Sequence, residues 1–95
     1  MEEFEWDEAK AASNLKKHGI DFEDAISIFE GPVLEVRSAR GSEERWKAVG
    51  MVEGVELAVI FTLREGRRRI ISARRARKSE REAYRQANLG DQAEG

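Results

Sequence analysis

The fold is decided by the segment from Arg45 to Arg74, which reads RWKAVGMVEGVELAVIFTLREGRRRIISAR. It contains three β-like stretches, separated by the pairs Glu53-Gly54 and Glu65-Gly66. Connections this short join antiparallel neighbours, because a parallel return needs a crossover of about a dozen residues or more. The segment therefore predicts an antiparallel meander, with strands over residues 45–52, 55–63 and 68–74.

Alternation along the middle strand indicates which of its faces is buried. Leu57, Val59, Phe61 and Leu63 share one face, so this bulkier set is expected to face the core. The opposite face, which ends at Arg64, would stay open. On the last strand, inward-facing Ile71 and Ala73 would place four residues on that open face: Arg68, Ile70, Ser72 and Arg74.

Along the chain, helices are predicted both before and after the strands. Asp7 is a plausible N-cap for a helix to about His18, which Gly19 ends and which buries Ala9, Ala12 and Leu15. Asp21 and Asp24 open a second helix that ends at Gly31-Pro32 and buries Phe22, Ala25, Ile26 and Phe29. A further strand is predicted over Val33–Arg37, before the turn Gly41-Ser42. The capping box from Ser79 to Glu82 begins a last helix that Asn88-Leu89-Gly90 ends.

These elements predict an α+β fold of order ααββββα. Two N-terminal helices pack on one face of a mostly antiparallel four-stranded sheet, and a C-terminal helix follows. Residues 1–90 would form one domain and residues 91–95 a disordered tail. The position of the first strand in the sheet is left open.

The charge of the chain is strongly segregated. Between Arg64 and Arg85 stand ten Lys or Arg and three Glu, net +7, whereas residues 1–63 carry net −7. A cationic patch of this density indicates a polyanionic target such as a nucleic acid backbone. A helix-turn-helix reading of the two N-terminal helices is disfavoured, because the second carries four carboxylates and no Lys or Arg.

Several classes of protein are disfavoured by composition. The chain has no cysteine, so disulfides, thiolate metal sites and a catalytic thiol are excluded. Its first residues lack the charge and apolar pattern of a signal peptide, and no apolar run approaches the roughly 20 residues that span a bilayer. These features predict a soluble, cytoplasmic protein.

Arginine is the side chain best suited to a phosphate site here, since its planar fork can hold two phosphate oxygens. Arg74 is the preferred clamp for a phosphorane, and the alternative is an ordinary ion pair with a carboxylate such as Glu44. Arg45 can join Arg74 if their strands are adjacent. Lys17 is either a solvated flank or a phosphate contact. Six further cations could each be a solubility charge, and their clustering favours phosphate binding: Arg67, Arg68, Arg69, Arg77, Lys78 and Arg81.

Other candidates each have a competing structural role. His18 is the only side chain with an unperturbed pKa near neutrality, but it can equally cap helix carbonyls. Tyr84 could stack on a base or donate a proton, or simply pack. Glu80 is expected to stabilise the helix dipole rather than to act as a general base. Trp6 and Trp46 are expected to pack rather than to stack on bases. The catalytic candidates are therefore Arg45, Arg64, Arg74, Tyr84 and His18.

Several stretches together resemble the BrnT toxins. They are Phe4-Glu5-Trp6-Asp7, Asn14 to Gly19 with Asp21-Phe22, Glu44-Arg45-Trp46 with Gly50, and Arg69 to Ala76 with Glu80-Arg81 and Tyr84. This resemblance implies a compact RelE-like fold and a ribonuclease toxin of a type II toxin-antitoxin pair. It also implies cleavage of messenger RNA, inhibition of translation, and neutralisation by a BrnA-type antitoxin that binds operator DNA.

The residues themselves leave three functions open. The first is a ribonuclease; because no cluster of His, Cys and carboxylates has metal-ligand spacing, its cleavage would need no metal and no cofactor. The second is a module that binds nucleic acid without cutting it. The third is an interaction protein whose basic patch docks an acidic partner. The oligomeric state, alone or with an antitoxin, stays open.

Overall fold

The computed structural model describes residues 3–40 and 43–94, and their side chains except those of 38–40, 43 and 89–94. The strands are β1 (Phe4–Trp6), β2 (Leu34–Arg40), β3 (Glu43–Val52), β4 (Val55–Arg64) and β5 (Arg67–Arg75). The helices are α1 (Glu8–His18), α2 (Phe22–Ala25), a 3₁₀ segment (Ile26–Glu30) and α3 (Lys78–Glu94). The predicted turn at Gly41-Ser42 lies outside the described residues.

Within the described residues the strands form one mixed sheet of order β1-β5-β4-β3-β2. The predicted meander is confirmed, and β2 extends it at the edge beside β3. The prediction of four strands was wrong, because β1 adds a fifth that runs parallel to β5. A strand of three residues is too short to show a period of two in the sequence.

The hairpin turns need two consecutive residues with positive φ. Glu53 and Gly54 have φ of 49° and 79°, and Glu65 and Gly66 have 52° and 79°. Positive φ at both central residues is the requirement of a type I′ turn, whose twist matches that of the paired strands. These turns fix the register of the three strands that build the candidate site.

α1, α2 and the 3₁₀ segment cover one face of the sheet, as predicted. Phe22, Ala25 and Ile28 pack there against a row of inward-facing strand residues: Ala48, Leu57, Val59, Phe61, Ile70 and Ala73. The inward face of β4 is thus confirmed for Leu57, Val59 and Phe61. The prediction was wrong for Leu63, which is 54% exposed at the end of the strand, beyond the helical layer.

The buried face of α1 was predicted wrongly. Ala9 and Ala12 are exposed and Leu15 is 48% exposed, whereas Asn14 is buried. The Asn14 amide donates to the carbonyl oxygens of Ile20 (3.0 Å) and Ala73 (2.9 Å), and its oxygen accepts from the Ala73 N–H (3.1 Å). These bonds, rather than apolar contact, decide which way the helix faces.

A β-bulge in β5 corrects the predicted facing of its residues. Ile60 pairs with Ser72 but Phe61 pairs with Ile70, so Ile71 is the extra residue. Ile70 and Ala73 therefore both reach the core, and Arg68 falls on the helical face rather than on the open face. Ser72 and Arg74 keep their predicted place on the opposite face.

α3 begins and ends differently from the prediction. Its first turn bond joins the Arg81 N–H to the Arg77 carbonyl, and the Glu80 carboxylate accepts from the Arg77 N–H at 2.7 Å, so Arg77 and not Ser79 occupies the cap. The helix continues past Asn88–Gly90 to Glu94. The disordered tail stays a prediction. Tyr84 anchors α3 on Val49 and Ala58 of the second face.

Candidate functional site

A cavity of about 470 Å³ brings several cationic side chains together. It is lined by Val36, Arg37, Arg45, Trp46, Lys47, Ile60, Arg74 and Arg77. The pairing of β2, β3 and β4 places Val36, Lys47 and Ile60 in one row across the sheet, on the face that α3 partly covers. Five cations thus surround a short apolar floor.

Glu80 organises two of these cations. Its side chain is 6% exposed and accepts from Arg74 Nη1 at 2.7 Å and from Arg74 Nη2 at 2.9 Å. Lys47 Nζ lies 2.9 Å from the same carboxylate. The Arg74 hydrogen bonds, reinforced by the Arg77 N–H and Lys47, hold the pKa of the Glu80 carboxyl well below its usual range. Glu80 is therefore ionised at neutral pH and unsuited to act as a general base.

The site depends on the place where α3 starts. Because Arg77 caps the helix, Glu80 falls in its first turn, where the helix dipole also favours a carboxylate. Lys47 is on β3 and Arg74 is on β5, so β4 runs between them. At this level β4 contributes Ala58 and Ile60, which pair with Arg74 and Lys47 respectively.

The cavity is suited to bind and stabilise phosphate. Among the described residues that line it, the ionisable side chains are the five cations, and no carboxylate, imidazole or phenol joins them. Arginine and lysine neutralise phosphate oxygens, and charge-assisted hydrogen bonds to them are stronger than neutral ones. The arrangement can supply positive charge to a developing phosphorane.

The structure brings three of the predicted residues together. Arg45, Arg74 and Arg77 line the cavity. The alternative for Arg74, an ion pair with a carboxylate, is present, but its partner is Glu80 of α3 rather than Glu44, which binds Arg37 on the neighbouring strand.

Other predicted catalytic residues lie elsewhere. His18 and Lys17 are exposed at the end of α1, in the helical layer of the other face. Arg64 is exposed at the β4–β5 turn opposite Arg67. Tyr84 is 5% exposed and its hydroxyl donates to the Pro32 carbonyl at 3.2 Å. Their roles in catalysis or RNA binding stay predictions from the sequence.

The remaining predicted RNA contacts also lie away from the cavity. The Arg68 guanidinium lies 4.5 Å from the centroid of the Phe29 ring and pairs with Glu35, because the bulge turned it to the helical face. Arg69 pairs with Glu5 of β1 at 2.9 Å. Lys78 is exposed at the first residue of α3, and Arg81 donates to the Ala76 carbonyl at 2.7 Å.

Sequence reasoning missed Lys47, Arg37 and the part that Glu80 plays. Alternation along β3 could have found Lys47, because it shares a face with Arg45. Arg37 lies over the Trp46 ring, 6.0 Å from its centroid, a contact that only strand pairing reveals. The spacing of three residues between Arg77 and Glu80 is the signal that could have placed the helix cap.

The family follows from comparison with known proteins. Residues 6–80 match the family model described as "Ribonuclease toxin, BrnT, of type II toxin-antitoxin system". The chain belongs to the BrnT family. It is also similar to the crystal structure of the Brucella abortus ribonuclease toxin BrnT, with 30% identity and a TM-score of 0.63 over 82% of this chain and 100% of that one. No curated protein matches it.

Membership of the BrnT family makes the chain a toxin of a type II toxin-antitoxin system, with the α+β fold of that family. The family implies an antitoxin partner and an RNA target. In the part of the chain that the structure describes, no helix could span a membrane. No group of three His, Cys, Asp or Glu is placed there to hold a metal ion.

Proposed function

We propose that this BrnT-family chain is an endoribonuclease that cleaves messenger RNA at the cationic cavity and so inhibits translation. The observation that carries the proposal is the Arg74 guanidinium, which lines the cavity while a buried carboxylate grips it through two hydrogen bonds. A preorganised cation of this kind costs no reorganisation when charge develops in a transition state.

The reaction that fits the cavity is attack of a 2′-hydroxyl on the adjacent phosphorus. The O2′–P bond forms as the O2′ proton leaves, the P–O5′ bond breaks, and a proton joins the departing O5′. The products are a 2′,3′-cyclic phosphate and a 5′-hydroxyl. Arg74 and Lys47 would stabilise the phosphorane oxygens, and Arg45 and Arg77 would hold flanking phosphates. Water is assigned the proton transfers, because the described residues that line the cavity include no carboxylate, imidazole or phenol.

The first test compares RNA cleavage by three proteins in the presence of EDTA. We expect the wild type to cleave and Arg74→Ala to lose about 100-fold or more in rate, the order of effect seen when one preorganised donor is removed. Arg75→Ala is the matched control, since its side chain is exposed on the same strand and does not line the cavity. Loss of wild-type cleavage in EDTA, restored by one divalent ion, would contradict the metal-independent mechanism.

The second candidate is a module that binds RNA without cutting it. It is favoured by the same lining, in which the described residues offer five cations and no carboxylate, imidazole or phenol. The cleavage assay separates the two functions. RNA that is retarded by the wild type but stays intact would support the module.

We propose that a BrnA-type antitoxin neutralises the toxin by covering the cavity. The supporting observation is the positive charge of the lining, which an acidic antitoxin segment would complement. Addition of the antitoxin is expected to stop cleavage in proportion to the complex formed. Cleavage that continues at full rate in the purified complex would exclude this mode of neutralisation.

A further inference from the structure

Glu80 differs from the surface carboxylates of the chain in its burial and in its number of donors. Its side chain is 6% exposed, and four hydrogen-bond donors reach it: Arg74 Nη1, Arg74 Nη2, the Arg77 N–H and Lys47 Nζ. Two ionised carboxylate oxygens offer about four acceptor positions, so this set saturates the group. A saturated, buried carboxylate holds its partners in one geometry.

The contacts of Arg74 decide which of its edges a phosphate can use. Glu80 occupies the Nη1–Nη2 edge, and Nη1 also donates to the Arg75 carbonyl at 3.3 Å. Of the five N–H groups of a guanidinium, the Nε–H and one Nη2–H then have no partner among the described residues. These two N–H groups are parallel and lie on one edge, the arrangement that binds two oxygens of a phosphate at once.

The same carboxylate fixes the distance between two cations on non-adjacent strands. Lys47 on β3 and Arg74 on β5 are separated by β4, which corresponds to about 10 Å between their backbones. Glu80 bridges them from α3, with Ala58 and Ile60 of β4 between the two. Without the bridge, two long cationic side chains would repel each other and sample many rotamers.

We infer that Glu80 is the positioning residue of this site: it holds Lys47 at a set distance and turns Arg74 so that the Nε–Nη2 edge is presented to the scissile phosphate. The inference rests on the proposed ribonuclease function. Glu80 itself does not touch the substrate. It couples the start of α3 to the reacting centre.

The test uses Glu80→Gln, which keeps the shape of the side chain and removes its charge. Glu56→Gln is the matched control, because Glu56 is also 6% exposed and is bound by two nitrogens of Arg85, at 3.2 and 2.7 Å, away from the cavity. We expect Glu80→Gln to lose more thermal stability than Glu56→Gln, because it weakens four hydrogen bonds rather than two, and both assays are made below the unfolding range of either variant. Only Glu80→Gln should lower kcat, by about 10- to 100-fold as for other misplaced catalytic groups, with a small change in the Kd for RNA.

A double-mutant cycle then distinguishes positioning from a general loss of structure. If Glu80 acts through Arg74 and Lys47, the double variant Glu80→Gln/Arg74→Ala loses less than the product of the two single losses, because only the share that acts through Lys47 is left to lose. The inference is overturned if the wild type cleaves RNA while Glu80→Gln keeps the rate of Glu56→Gln, or if the two losses multiply. A wild type that leaves RNA intact would instead overturn the proposed function, and this inference with it.

Discussion

Two buried polar residues determine more of this structure than any single apolar one. Asn14 ties α1 to the backbone of β5, and Glu80 ties α3 to side chains of β3 and β5. The polar atoms of both side chains are hydrogen-bonded, as buried polar groups must be if their desolvation is to be compensated. A pattern of apolar residues cannot reveal either of them, because it counts Asn and Glu as surface residues.

Replacing Asn14 with Ala should destabilise the protein more than its size suggests. The change leaves the buried Ala73 N–H and the Ala73 and Ile20 carbonyls without their side-chain partner, at a cost of about 2–3 kcal/mol in the free energy of unfolding. Urea denaturation would measure the loss. Ser13→Ala, at an exposed position of the same helix, should change stability by less than about 0.5 kcal/mol. Equal urea midpoints for the two variants would contradict the stabilising role of the Asn14 hydrogen bonds.

At the scale of elements, the sequence predicts what local chemistry decides. The type I′ turns at Glu53-Gly54 and Glu65-Gly66 carry the signal of their hairpins, and Asp7 and Gly19 mark the ends of α1 through their own hydrogen bonds. The strands of the meander and the helical layer were predictable for this reason.

The remaining elements depend on partners that are distant in sequence. β1 exists because β5 offers it an edge, and the bulge at Ile71 exists because both Ile70 and Ala73 must reach the core. Prediction of the candidate site from the sequence was limited in the same way. Arg45, Arg74 and Arg77 could be nominated from charge and alternation, whereas Lys47 and Glu80 gained their roles only from the packing of α3 against the sheet.

Gly50 marks the closest approach of β3 to the 3₁₀ segment. A Cβ atom at this position would lie 2.7 Å from Ile28 Cβ and 3.0 Å from Val33 Cγ1. Because both neighbours are packed, Gly50→Ala should lower the free energy of unfolding by about 1–3 kcal/mol, the usual cost of overpacking.

Gly31→Ala is the control for this prediction. A Cβ at Gly31 meets nothing within 4 Å, and its φ of −118° suits any residue. Thermal unfolding of the two variants should therefore show a clear fall in Tm for Gly50→Ala and little change for Gly31→Ala. A fall of the same size in both would contradict crowding by Ile28 as the cause, because Gly→Ala at an open position with an ordinary φ does not lower stability through backbone entropy.

At the scale of the whole molecule, the charge segregation of the sequence is largely neutralised by folding. The acidic first half supplies partners to the basic second half through several ion pairs: Arg67 with Glu3 and Glu5, Arg69 with Glu5, Arg68 with Glu35, and Arg85 with Glu56. Every one of these pairs has at least one side chain that is a fifth or more exposed, so solvent screens it and each adds little stability. Their larger effect is to reduce the net positive charge of the surface outside the cavity.

The number of phosphates that the protein neutralises should therefore be small. If the five cations of the cavity make the contacts, the logarithm of the RNA association constant should fall with the logarithm of salt concentration with a slope of about −3.5, at about −0.7 per phosphate for a single strand. Engagement of all ten cations from Arg64 to Arg85 would give about −7.

A DNA oligonucleotide, which lacks the attacking 2′-hydroxyl, allows the measurement without cleavage. Arg77→Ala should reduce the slope by about 0.7, while Arg75→Ala should leave it unchanged. A slope near −7 would show that the ion pairs with the acidic half open on binding and that RNA follows the whole basic segment.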